Sequence, residues 1–245
     1  MTLEVPNQLQ RSRTKDEEAA ERSALALLSV LAEELGRPDL RDVSVLDVGC
    51  GVKFSQALMN HDLPIGSYTG VDVYEPVISH LRSSVTDPHF QYHHVDFLNA
   101  RYNPSGIPMT AASTLPVEGQ IFDLICGFSL VTHLDPGDFS AMLQITSRHA
   151  HPSTRLVFTA FLDKHSAGGH GLIDSYSKAM GADASTGEAF RDFFPDDVLR
   201  VALYSEDHAR ELIDASPWTI VSVKDPTPYA QHLYTLILSD PPQVS

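Results

Sequence analysis

The chain has 245 residues, with Lys+Arg 17 against Asp+Glu 32 and a net charge of −15 at pH 7. Hydrophobic residues make up 42% and charged residues 20%, which suits one α/β domain with a filled core and excludes a disordered chain. The acidic balance repels phosphate backbones and anionic membrane surfaces, so neither nucleic acid nor membrane is an expected partner. No apolar run reaches the roughly 18 residues of a membrane span.

Residues 1–15 are polar and aperiodic and read as a flexible N-terminal arm without the apolar core of a secretory signal. Residues 16–245 read as a single domain. Ala24, Leu27, Leu28, Leu31 and Leu35 recur at helical spacing up to Gly36 and Pro38. The run VSVLDVGCG then stops at glycines, and a helix-compatible stretch follows over Lys53 to Asn60. The alternation repeats: SYTGVDVY as a strand, Pro76–Leu81 as a helix, and FQYHHVD as a strand. IFDLICGFSL is a buried strand, Asp138–Thr146 a helix, and TRLVFTAFL another strand. Strands alternating with helices predict parallel pairing in a doubly wound sheet. A helix near Glu206–Ala215 and the runs WTIVSVK and QHLYTLIL close the chain, the last two as an edge hairpin.

Two stretches break this rhythm and are expected to be substrate-side lid insertions. Residues 98–119 hold three prolines and two glycines; residues 163–200 are rich in Gly, Asp and His. Within the second, Phe193 and Phe194 are consecutive and cannot share one helix side. An exposed ring there would favour a homodimer. Cys50 and Cys126 have neither metal nor redox spacing, which fits a reducing cytoplasm.

The segment Val45-Leu46-Asp47-Val48-Gly49-Cys50-Gly51 is the most informative. A strand running into two glycines lets backbone approach a ligand, with a helix N-terminus presented beside it. A nicotinamide dinucleotide fingerprint needs a third glycine where this chain has Phe54. Asp47, close to the turn, also disfavours a diphosphate. The next strand ends at Asp72, 21 residues after Gly51, where a carboxylate can accept from both ribose hydroxyls. The third ends at Asp96 and Phe97, a carboxylate and a ring suited to an adenine. A ribose-adenine without phosphates, carrying an amino-acid tail, is the ligand sketched.

These residues resemble the class I S-adenosylmethionine-dependent methyltransferases over roughly residues 43–160 and the closing hairpin. VLDVGCG looks like the first motif, although Val52-Lys53 stands where a small residue is usual. The resemblance implies a Rossmann-like seven-stranded, mostly parallel sheet with the last strand antiparallel. It implies Asp47, Gly49 and Gly51 along the methionine part of the cofactor, Asp72 on the ribose, and Asp96 and Phe97 at the adenine. FDLICGFSLVTHL looks like the fourth-strand motif, whose end at Phe128 would border the transferable methyl.

An alcohol acceptor needs a base, a metal or both at neutral pH. His133, just beyond the fourth strand, is the candidate base, with Asp135 to orient it. His165 and His170 flank Gly168-Gly169 as candidate substrate contacts, and Tyr102 and Asn103 as candidate cavity walls. Asp135, Asp138, Asp163 and Asp174 could hold a divalent ion such as Mg, but no HxH or DxD cluster marks them, and the metal stays open. The favoured expectation is an O-methyltransferase for a small hydroxylated molecule, such as a sugar. N- or C-methylation, or a silent cofactor-binding scaffold, stand as alternatives.

Overall fold

The second half of the first strand is apolar at both odd and even positions, Val43 and Val45 as well as Leu46 and Val48, so the sheet buries both faces. In the computed structural model, which describes residues 2–9, 17–163, 174, 178, 187–198, 200–226 and 231–239, Val43 and Val45 join one core layer and Leu46 the other. Helix α1 (Glu17–Glu34) precedes β1 (Leu40–Val48), α2 (Lys53–Asn60), β2 (Ile65–Asp72), α3 (Glu75–Ser84) and β3 (Phe90–His94). Next come β4 (Phe122–Gly127), α4 (Pro136–Ser147), β5 (Ala150–Asp163), β6 (Phe190–Asp192) and β7 (Ala202–Ser205). Helix α5 (Glu206–Asp214), β8 (Trp218–Lys224) and β9 (His232–Leu238) complete the described elements.

The main sheet runs β3-β2-β1-β4-β5-β9-β8. Its β3-to-β5 part is parallel, and β9 lies antiparallel to both β5 and β8. This is the expected Rossmann-like methyltransferase sheet. Strand order reverses between β1 and β4, so the ends of those strands open onto a crevice suited to ligands. Trp218 anchors the closing hairpin, since its buried Nε1–H donates to the Leu143 carbonyl at 2.9 Å.

Three expectations change. Residues 2–9, read as part of a loose arm, pack on the domain: Leu3, Val5 and Leu9 are buried, and Leu3 N–H donates to Asn60 Oδ1. Leu3 and Val5 alternate with polar neighbours for only a few positions before Pro6, too short a run to mark an element, which is why the sequence pattern passes over them. The second excursion ends in regular structure. β6 pairs antiparallel with β7, and β7 extends the far end of β5 in parallel. Phe193 is fully buried beneath Arg191, and Phe194 packs beside it, so the exposed-ring argument for a homodimer falls.

Candidate functional site

Beyond β1 the chain must turn back under its own sheet. Gly49 and Gly51 do this at φ of +75° and +51°, a left-handed region costly to side chains. Gly49 and Cys50 both donate to the Val71 carbonyl. Asp72, the last residue of β2, is 1% exposed and ties two turns together. Its Oδ2 accepts from Gly51 N–H and its Oδ1 from Tyr74 N–H, each at 2.9 Å. A carboxylate has about four acceptor positions, so a side chain that braces two turns can also accept from a ligand's hydroxyl.

These turns border a cleft, open to solvent, at the switch point of the sheet. Gly49, Asp72, Phe97, Tyr102, Phe128 and His133, all expected at the site, line it. Val73, Val95 and Phe97 add apolar surface beside Asp72 that fits a nucleobase face. No described lining residue is Lys or Arg. The carboxylates of Asp72 and Asp138 in the wall would repel a phosphate-bearing nucleotide, whereas a phosphate-free nucleoside with a cationic sulfur fits. Phe54 replaces the dinucleotide glycine and packs edge-on against Phe128 with centroids 5.5 Å apart.

Asp47 is not in the cleft wall. It is 3% exposed and accepts from Tyr68 Oη at 2.6 Å, because its place inside β1 aims it into the core. Burial pushes its carboxyl up from 3.8 to about 7, against hydrogen bonds from Tyr68 and Cys126 that oppose the rise. The folded protein therefore holds this proton between about pH 4 and 7, where the unfolded chain has lost it. Its contribution to stability declines as pH rises through that window and is flat above it. Asp47→Asn keeps an acceptor for Tyr68 without the charge. Denaturant melts at pH 5 and pH 8 should show a smaller loss of stability on the alkaline side than in wild type, by on the order of a few kcal/mol.

Asp96 and Asn103 also stand outside the lining. Asp96 is exposed and accepts from Asn103 Nδ2 at 2.9 Å, while that nitrogen also donates to the Phe97 carbonyl. The pair staples the start of the first excursion. A Cβ at Gly106 would fall 2.5 Å from Asn103 Nδ2, so the loop closes around a glycine. Tyr102 reaches the cleft and packs on Tyr74 at 5.4 Å. His165 and His170 lie outside the described residues.

His133 projects from the short turn Val131–His133, its Nδ1 2.6 Å from the Arg200 carbonyl. A carbonyl can only accept, so the neutral ring carries its proton on Nδ1 and its lone pair on Nε2. Asp135 does not orient it as expected. Asp135 caps α4 by accepting from Asp138 N–H and pairs with Arg200 at 3.1 Å. Sequence reasoning missed Ser129 and Arg200, and it considered Asp138 only as a metal ligand. Ser129 sits in the cleft wall at φ +55°, an uncommon conformation outside glycine that gathers at functional sites. Asp138 also lines the cleft, and burial, then the Asp135 charge, push its carboxyl up. Among the described residues no three His, Cys, Asp or Glu side chains are grouped to hold a metal ion. No helix among them is long and apolar enough to cross a membrane.

Residues 17–223 match the family described as a methyltransferase domain. The fold is also that of solved structures with low identity. The PH0226 protein from Pyrococcus horikoshii OT3 is 15% identical with TM-score 0.59, over 96% of this chain and 97% of that one. Magnesium protoporphyrin IX methyltransferase from Synechocystis PCC 6803, solved with bound SAH, is 16% identical with TM-score 0.57, over 95% and 92%. An S-adenosylmethionine dependent methyltransferase from Mesorhizobium loti is 15% identical with TM-score 0.58, over 88% and 97%. With a family match over most of its length and a cleft suited to a phosphate-free nucleoside, the chain belongs to the methyltransferase domain family as an S-adenosylmethionine-dependent enzyme of the class I fold.

Proposed function

We propose that the enzyme methylates a hydroxyl group of a small molecule, with His133 as the general base. The observation that carries this is the 2.6 Å contact between His133 Nδ1 and the Arg200 carbonyl, which puts the ring proton on Nδ1 and makes Nε2 the basic nitrogen of a side chain that lines the cleft. S-adenosylmethionine, when bound, supplies an electrophilic methyl group on a sulfonium sulfur. Gly49, Gly51 and Asp72 would hold that cofactor by its tail and ribose, and Val73, Val95 and Phe97 by its base. Phe128 stands at the exit of β4, beside the expected transfer point.

The acceptor oxygen would form its bond to the methyl carbon as the carbon–sulfur bond breaks, and His133 Nε2 would take the hydroxyl proton. The products are a methyl ether, a neutral thioether and a protonated imidazole that returns its proton to water. Leu98, Met109, Leu130 and Leu134 give the remaining wall an apolar character. They favour a hydroxylated acceptor with an apolar or aromatic body over the bare sugar expected from the polar excursions.

Cofactor labelled at the methyl group, incubated with matched phenols, alcohols, sugars and amines, tests the reading. Label is expected in the hydroxyl compounds, most in those with an apolar body. Transfer to amines alone would overturn oxygen as the target.

A further inference from the structure

We infer that Arg200 is a positioning residue that sets the tautomer of His133, so that the end of the second excursion controls whether the base is competent. The inference rests on His133 as the base of the proposed reaction. A neutral histidine free in water favours the proton on Nε2, the wrong nitrogen for a base acting from Nε2. Something must hold the proton on Nδ1, and here it is the Arg200 carbonyl at 2.6 Å.

That carbonyl is held in turn by its own side chain. Arg200 Nη1 lies 3.1 Å from Asp135 Oδ2, and Arg200 Nε lies 3.2 Å from Asp192 Oδ2. Asp135 is fixed as the cap of α4, and Asp192 accepts from Val201 N–H at 3.2 Å and Phe194 N–H at 3.1 Å. One guanidinium therefore bridges the turn that bears His133 and the hairpin of β6 and β7. Tyr204 Oη, donating to the Leu134 carbonyl at 2.7 Å, adds a second tie between the same two elements. Partly exposed ion pairs contribute little to stability, roughly 0–1 kcal/mol each. Their use here is geometric: a planar fork holds two carboxylates at once, which a lysine ammonium does less well.

The tautomer can be read without knowing the methyl acceptor. In the full chain labelled with ¹⁵N, long-range proton–nitrogen spectra at about pH 8, where an ordinary imidazole (pKa about 6.5) is neutral, distinguish the two nitrogens. Comparison with His133→Asn assigns the signal. In wild type the Nδ1-protonated form is expected to dominate. In Arg200→Ala and in Asp192→Ala it should fall to a minority, and Arg200→Lys should lie between. A His133 that stays Nδ1-protonated in Arg200→Ala, or in Arg200→Lys and Asp192→Ala should the alanine variant not fold, overturns the inference. The base reading fails separately, if His133→Ala keeps its transfer rate while the tautomer still follows Arg200.

Discussion

Asp72→Asn should weaken S-adenosylmethionine binding by about 100-fold or more, with the fold retained. Both carboxylate oxygens accept a backbone N–H, one from each of the turns that frame the cleft. An asparagine has one acceptor oxygen, and its amide nitrogen would face a second donor where an acceptor is required. Hydrogen bonds to a charged group contribute about 1.5–3 kcal/mol each, and any bond to the ribose hydroxyls would be lost or weakened with them. Since about 1.4 kcal/mol is tenfold in affinity, disturbing one turn and the ribose contact together accounts for the expected loss. Titration calorimetry with the demethylated cofactor measures it directly. Binding within a few-fold of wild type would remove Asp72 from the cofactor site and leave it a turn brace.

Asp47 and Asp72 look alike in the sequence, as acids beside successive strand ends, and the fold separates them. Asp72 is the final residue of β2, beyond the last pair with β1 (Val48 with Val71) though still level with His94 on β3, so it can bind turns and face the cleft. Asp47 lies one residue further inside its strand, level with Gly70 on β2 and Cys126 on β4. The missing side chain of Gly70 leaves room for Cys50 Sγ and the Tyr92 ring, which a Cβ there would meet at 2.8 and 3.1 Å. That two-residue alternation was legible in VLDVGCG, and it outweighs closeness to the glycines. Helix α2 has the expected bounds, Lys53–Asn60, because Gly51 stands just before it, Pro64 follows it, and a polar–apolar period fills the span between.

Arg200 left no comparable mark. Its contact with His133 spans 67 positions, and the strands around it, β6 and β7, are three and four residues long. Elements that short have too few positions to display a period. The polar excursion concealed a structured hairpin for the same reason. That His133 lines the cleft was legible from its place after the fourth strand, but its contact with the Arg200 carbonyl was not, and proximity in sequence pointed to Asp135 instead.

Replacing His133 should separate base chemistry from position. His133→Ala is expected to lower kcat for a hydroxyl acceptor by about 10²–10⁴, the usual worth of a general base, while cofactor affinity changes little. His133→Asn is the sharper variant, because its amide N–H can still reach the Arg200 carbonyl yet offers no basic nitrogen. If the residue served only to hold the turn, asparagine would restore the rate. If it removes the acceptor's proton, asparagine and alanine fail alike. Both variants should also lose the acid limb of the rate profile, since a protonated imidazole cannot accept a proton. An amine acceptor with its own lone pair would lose far less, which makes the ratio of hydroxyl to amine rates the decisive measurement. Asp138 is the competing base, a half-buried carboxyl in the same wall with its proton affinity raised. Asp138→Asn should leave the hydroxyl rate within about tenfold of wild type. A loss there as large as for His133, together with an intact His133→Asn, would move the proton transfer to the carboxyl.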